Sequence, residues 1–172
     1  MIDSPVPLLG FVACSGTGKT TLLTQLIPLL KQRGIRVAVI KHAHHRFDID
    51  HEGKDSYRFR KSGADQIVIA AGHRMAWIKE FPEPTEEPDL NQAIAALDTD
   101  ELDLILVEGF KFESYPKIEV RRKGVECETL YPIDEDVIAV VSDERPVDLD
   151  LPWVDLNDVE KVAEFVGDWL KK

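Results

Sequence analysis

The stretch Ala13-Cys14-Ser15-Gly16-Thr17-Gly18-Lys19-Thr20 combines the groups that a phosphate chain needs. Small residues and two glycines let successive backbone N–H groups turn inward, a lysine brings a point charge to the β- and γ-phosphates, and a hydroxyl is available to magnesium. In this reading Gly16 and Gly18 supply backbone freedom, Lys19 is the catalytic cation, Thr20 ligates the metal, and Ser15, Thr17 and Thr21 are supporting nucleotide contacts. Ala13 stands where the strict pattern has glycine, so the match is to a relaxed form of the phosphate loop.

A nucleotide-bound magnesium usually needs a carboxylate at the end of a neighbouring apolar strand. The run 102–107 is such a strand and delivers Glu108, the second metal and catalytic candidate, followed by Gly109. Glutamate is longer than the usual aspartate and is expected to act through water. Asp143, after the apolar run 137–141, is a candidate contact for the nucleotide base. A third concentration of polar groups, Lys41, His42, His44, His45, Asp48, Asp50 and His51, leads on to Asp55. Zinc or nickel binding, a nucleotide- or partner-responsive loop and a plain solvated loop all fit it, because spacing within a loop does not establish converging ligands.

These groups must be placed by a scaffold, and the apolar pattern describes one. Residues 7–13 form a short apolar run, as in a strand covered on both faces. Leu22, Leu23, Leu26 and Leu30 then repeat at helical spacing up to Gly34, with Pro28 expected to kink the helix. A second strand over 35–40 completes a β-loop-α-β unit. Asp55 or Ser56 is expected to cap a helix ending near Gly63, and runs 66–71 and 75–79 flank Gly72 as an antiparallel hairpin added to the sheet. A helix follows over 89–97.

Residues 117–122 alternate apolar and polar, which reads as a half-exposed strand; a β-ribbon extension around 112–125 is therefore a candidate dimerisation element. Asn157 and Glu160 have capping-box spacing ahead of an amphipathic helix bearing Val162, Ala163, Val166 and Trp169. The fold class is α/β and P-loop NTPase-like: one domain over residues 1–172, with a mostly parallel sheet flanked by helices and an antiparallel hairpin or ribbon extension.

With 32 acidic against 21 basic residues the formal charge is −11, a field that repels nucleic acid and anionic lipid. No run approaches the roughly 18 apolar residues of a membrane span. Cys14 and Cys127 lie far apart in no metal or redox spacing and read as free thiols of a cytoplasmic protein.

The phosphate loop, Lys41-His42-Ala43-His44-His45 with Phe47-Asp48-Ile49-Asp50, Gly53-Lys54-Asp55-Ser56-Tyr57, Gly63-Ala64 and Leu106-Val107-Glu108-Gly109-Phe110-Lys111 together resemble the MobB family. These are the molybdopterin-guanine dinucleotide biosynthesis adapter proteins, and the resemblance runs over nearly the whole chain. It implies GTP and Mg2+ as cofactors, weak GTP hydrolysis, a homodimer, and service to the guanylyltransferase MobA and molybdopterin-carrying proteins. It also makes the segment with Lys41, His42, Asp48, Asp50 and Asp55 a switch-like loop. No Asn-Lys-x-Asp or Thr-Lys-x-Asp element for guanine is present. Two other readings share the loop: a small-molecule kinase with Arg58 and Arg60 in a lid, and a metallochaperone NTPase using the histidine-rich segment 42–51.

Overall fold

The computed structural model describes residues 2–43, 47–83 and 88–172. Contacts divide the chain into two compact units, one formed by residues Met1–His42 and Asp89–Lys172, the other by Ala43–Pro88.

The first unit is built on a six-stranded, wholly parallel sheet. Strands β1 (Leu8–Val12) and β2 (Val37–Lys41) are joined through helix α1 (Lys19–Gln32). In chain order the second unit then supplies α2 (Asp55–Lys61), β3 (Gln66–Ala71) and β4 (Arg74–Lys79). The first unit resumes with α3 (Leu90–Ala95), β5 (Leu104–Glu108), β6 (Lys117–Arg121), β7 (Val137–Ser142), β8 (Trp153–Asp155) and α4 (Val159–Trp169). Spatial order in the large sheet is β2-β5-β1-β6-β7-β8. β1 is thus central, and the chain departs from it to either side, which opens a crevice at its carboxyl end.

Burial on both faces explains the continuous apolar strands. Leu9, Phe11, Leu104, Leu106, Ile118 and Val141 point to one face, where they meet Leu22, Leu23, Leu26 and Leu30 of α1 and Val162, Ala163 and Val166 of α4. Each such fully buried aliphatic side chain contributes about 1.5–3 kcal/mol. Leu8, Ile40, Ile105 and Val107 point the other way, to Leu90 and Ile94 of α3 and to Tyr115. α1 is one helix from Lys19 to Gln32 with Pro28 inside it. Among the described residues no helix is long and apolar enough to cross a membrane.

Several expectations are corrected. The strand at 117–122 is not half-exposed: β6 lies between β1 and β7, paired on both edges. Its alternation is real, but the polar face is buried and paired. Lys117, 1 % exposed, binds Asp134 at 2.6 Å and the Lys111 carbonyl at 3.1 Å. Glu119, 2 % exposed, accepts from the N–H groups of Leu130 and Tyr131 at 3.0 and 2.8 Å. β6 therefore offers no free edge to a dimerisation ribbon.

The hairpin forms as expected, turning at Gly72-His73, but β3 and β4 make a two-stranded sheet of their own and do not join the large one. Helix α2 is preceded by Lys54 with no side-chain cap, so Asp55 begins the helix instead of capping it. α4 is capped by Asp158, which accepts from the Lys161 N–H, and not by Asn157. Finally, Cys14 and Cys127 are joined in a disulfide, not free thiols.

Candidate functional site

The segment between β1 and α1 has the form of a phosphate cradle. Gly16 and Gly18 adopt φ values of 82° and 93°, the left-handed region in which a side chain is strained, and Gly18 immediately precedes the first turn of α1. Thr17, 1 % exposed, turns inward and donates its hydroxyl to the Cys14 carbonyl at 3.0 Å. Ser15, Gly16, Thr20 and Thr21 remain exposed on the outer side. Lys19 folds back over the loop, donating from Nζ to the Ala13 and Cys14 carbonyls at 2.9 and 3.1 Å. Burial holds its ammonium below the ordinary lysine value; Glu108 counteracts this, and Lys41 adds to it. A cation already stripped of part of its water binds a phosphate oxygen with less further desolvation.

Glu108 ends β5 beside β1 and β2, opposite Phe11 on one side and Lys41 on the other. Its Oε1 accepts from the Thr20 hydroxyl at 3.0 Å, and its Oε2 lies 3.6 Å from Lys41 Nζ. The hydroxyl and the carboxylate that the sequence singles out for a metal, separated by 88 residues in the chain, therefore touch. A hydroxyl and a carboxylate oxygen at the edge of a phosphate cradle suit a hard, oxygen-seeking cation.

Behind Glu108 the chain turns sharply. Gly109 has φ 97° and a Cβ there would stand 2.7 Å from His42 Cβ; Phe110 follows with φ 51°. The turn is held by the His42 N–H donating to the Glu108 carbonyl at 2.8 Å and by a His42–Phe110 ring stack at 4.8 Å. The Tyr115 hydroxyl donates to the Gly109 carbonyl at 2.8 Å, and its ring covers Gly10 of β1. Burial pushes the Tyr115 phenol well above its usual range, so it remains a donor. Sequence reading took in Phe110 only as part of the family resemblance, with no role, and missed Tyr115. The tight approach at Gly10 was the one signal for the latter, and it becomes visible only once β1 and the segment before β6 are adjacent.

Lys41 and His42 stand at this end of the first unit. Asp48, Asp50 and Asp55 belong to the second. There Arg60 Nη2 binds Asp48 and Asp50 at 2.6 and 2.7 Å, and Asp55 lies 3.6 Å from Arg58. The hydrogen-bonded Asp50 carboxylate raises the already high pKa of Arg60, and the guanidinium in turn lowers that of Asp50. An arginine so engaged is not free to serve as a kinase lid. His44 and His45 lie outside the described residues, and among the described residues no group of three or more His, Cys, Asp or Glu side chains is arranged to hold a metal. Asp143, just past β7, accepts from the Lys123 N–H at 2.9 Å and so ties down the segment leaving β6.

A family profile described as molybdopterin guanine dinucleotide synthesis protein B, MobB, matches residues 8–143, which span the cradle, Glu108 and Asp143. The chain belongs to the MobB family. It is 52% identical over 169 residues to the molybdopterin-guanine dinucleotide biosynthesis adapter protein of Escherichia coli (strain K12), covering 97% of this chain and 95% of that protein. The adapter protein of Haemophilus influenzae is 42% identical over 169 residues, covering 98% and 92%. A crystal structure of a molybdopterin-guanine biosynthesis protein B, MobB, superposes with a TM-score of 0.72 at 33% identity, over 94% of this chain and 99% of that one. MobB of Bacillus subtilis shares the fold with a TM-score of 0.72 at 23% identity, over 94% and 96% of the two chains. The parallel sheet, the helices on its two faces and the loop ahead of α1 are accordingly a MobB fold of the P-loop NTPase-like kind.

Proposed function

We propose that this MobB-family chain, an adapter of molybdopterin guanine dinucleotide biosynthesis, works by holding GTP and Mg2+ in the cradle formed by residues 13–21. The observation that carries this reading is the meeting of Thr20 and Glu108 at 3.0 Å beside a lysine folded over the loop carbonyls. Backbone N–H groups and the α1 terminus receive the phosphates, and Lys19 swings from the carbonyls to the β- and γ-phosphates. Thr20 and, directly or through water, Glu108 would supply the protein oxygens that hold the cation, which would neutralise phosphate charge there. Ser15, Thr17 and Thr21 support the phosphates, and Asp143 borders the base end of the site.

Phosphoryl transfer also needs an aligned water and charge stabilisation on the γ-phosphate, often from an arginine that a partner supplies. The cradle and the metal provide only part of this, so hydrolysis by the chain alone is slow. The bound state, with the loop of Lys41, His42, Asp48, Asp50 and Asp55 as its responsive segment, is what the guanylyltransferase MobA and molybdopterin-carrying proteins read in the cytoplasm.

Titration with GTP and ATP, with and without magnesium, tests the site: GTP binds more tightly with magnesium, and Lys19→Ala abolishes triphosphate binding while the far-ultraviolet circular dichroism is unchanged. Undiminished GTP affinity in that variant would sink the assignment. The hairpin supports a homodimer, because β3 and β4 pair only with each other among the described residues and leave Val68, Met75 and Trp77 exposed. Light scattering then gives twice 19.4 kDa at micromolar protein, and particles of 19.4 kDa alone would count against it.

A further inference from the structure

The carboxyl-terminal edge of the large sheet has two flanks around the cradle. On the β5 and β2 side stand Glu108, Thr20 and Lys41, which are suited to a cation and the phosphates that share it. On the β6 and β8 side a depression of about 180 Å³ opens against Gly18. Its polar wall is Thr21 and Gln25 on α1, Arg122 just past β6 and Asn157 just past β8; Leu22 and Leu156 are its buried apolar members. We propose that this depression receives the nucleoside of the nucleotide whose phosphates the loop holds. The Arg122 guanidinium stacks on the base, and the amides of Gln25 and Asn157 meet its polar edge. The assignment rests on the phosphate-holding reading above and supplies the seat of the base, for which that reading offers only Asp143 at its border.

Direction along the ligand is the first argument. A magnesium ion beside a nucleoside triphosphate bridges the β- and γ-phosphates, so the terminal phosphate belongs on the flank that carries Thr20 and Glu108. With the phosphate chain crossing the carboxyl end of β1, the nucleoside emerges on the opposite flank, where the depression lies. The recess is smaller than the roughly 300–1,000 Å³ of a whole-ligand pocket. That is the scale of a subsite for one heteroaromatic base continuing from a cradle that already holds the rest.

Arg122 is the second. Its Nη2 lies 3.3 Å, and its Cζ 3.6 Å, from where a Cβ on Gly18 would sit, so the guanidinium overhangs the last residue before α1. In a chain of formal charge −11 its side chain forms no hydrogen bond or ion pair with another described residue, although the side chains of its neighbours Arg121 and Lys123 both do. The backbone that carries it is fixed immediately afterwards by the Lys123 N–H on Asp143. A planar, weakly hydrated cation anchored at its base and unpaired at its tip is suited to lie on the π-face of a nucleobase.

The edge groups complete the seat. Asn157 donates its backbone N–H and Nδ2 to Asp155 Oδ1 at 2.8 and 3.0 Å, which orients the amide and leaves Oδ1 as an acceptor. Gln25, on the exposed face of the second turn of α1, adds both a donor and an acceptor.

The test separates base from phosphate by using two probes on the full-length chain: GTP and inorganic triphosphate, each titrated in the presence of magnesium. Arg122 and Gln25 are exposed, so their alanine variants retain the fold. Arg122→Ala weakens GTP by about tenfold or more and inorganic triphosphate by less than about twofold; Gln25→Ala acts in the same sense on GTP by about threefold. Equal weakening of both probes by Arg122→Ala makes the arginine a phosphate ligand and overturns the proposal, as does unchanged GTP affinity. Failure of the underlying reading looks different: the unmodified chain then binds neither probe, or Lys19→Ala leaves inorganic triphosphate binding intact.

Discussion

Glu108 makes its two sets of contacts with different atoms. Its carbonyl accepts the His42 N–H at 2.8 Å and locks the turn after β5, while its carboxylate faces the Thr20 hydroxyl and Lys41. Glu108→Gln leaves the backbone role and the length of the side chain intact and removes only the negative charge. The expected outcome is that the gain in GTP affinity on adding magnesium shrinks by about tenfold, the scale at which outer groups of a metal site act. GTP binding without magnesium should hold steady or strengthen, because a carboxylate near the phosphates is gone. Isothermal titration of both proteins against GTP, with magnesium and with chelator, reads this directly. An equal loss in both conditions would make Glu108 a structural residue of the loop and not a partner of the cation. Lys19 is read against the same background: its ammonium is held below the ordinary value by burial, and Glu108 is the group that restrains that shift. Neutralising Glu108 therefore leaves Lys19 easier to deprotonate, so GTP affinity in Glu108→Gln should begin to fall at a lower pH than in the unmodified chain.

At the scale of elements, β2 and β5 are fastened at their amino-terminal ends by Arg36 and Asp103. The Arg36 N–H, Nε and Nη2 donate to the Asp103 carboxylate at 2.8, 3.0 and 2.9 Å. Those hydrogen bonds lower the Asp103 carboxyl to about 2. An unfolded aspartate titrates near 3.9, so the folded chain holds the charged form more firmly, and the clamp stabilises fully above about pH 4. Its contribution is lost as pH falls toward 2. Urea midpoints measured from pH 5 to pH 2 should drop less steeply for Arg36→Met than for the unmodified chain, and parallel curves would refute the linkage. High salt should flatten the difference, because both side chains are partly exposed. The elements themselves were largely legible in the sequence. β1, β5 and β7 declare themselves as apolar runs because both of their faces are buried, and Leu22, Leu23, Leu26 and Leu30 mark α1 because one face of that helix is. β6 was misjudged for a physical reason: alternation shows that the two faces differ, not that one meets water. Lys117 finds Asp134 and Glu119 finds the N–H groups of Leu130 and Tyr131 across a loop, and that pairing has no local signature. The same logic divides the site. The proposed cradle was readable because its groups are contiguous, and Glu108, its proposed cation partner, because strand ends beside β1 are where carboxylates are expected. Arg122, Gln25 and Asn157 were not, since they approach one another only when α1, β6 and β8 are assembled.

For the molecule as a whole, the disulfide between Cys14 and Cys127 is the longest-range covalent constraint, spanning a sequence separation of 113 residues. Two cysteines in no recognisable spacing gave no reason to expect a pair, because nothing local shows that the loop after β1 and the segment after β6 lie side by side. β1 and β6 are neighbours in the sheet, so both cysteines leave from the same edge. The segment that carries Cys127 is also held without it: Thr129 meets Arg121, and Leu130 and Tyr131 donate to Glu119. Breaking the bond should therefore leave the folded state nearly unchanged and act on the unfolded chain, which gains the freedom that a cross-link over most of its length denies it. In the chain-entropy account a loop of this length is worth about 5 kcal/mol, against about 2–4 kcal/mol for a typical disulfide. Urea unfolding with and without dithiothreitol should show a lower midpoint and a steeper slope under reduction, since the reduced unfolded chain is more expanded and exposes more surface. Cys127→Ser should unfold at the reduced midpoint in both conditions and be indifferent to the reductant. Coincident unfolding curves for the oxidised and reduced chain would remove the disulfide from the account of stability and leave the sheet, with the contacts of Glu119, Arg121 and Asp143, to hold the 122–131 segment beside the cradle.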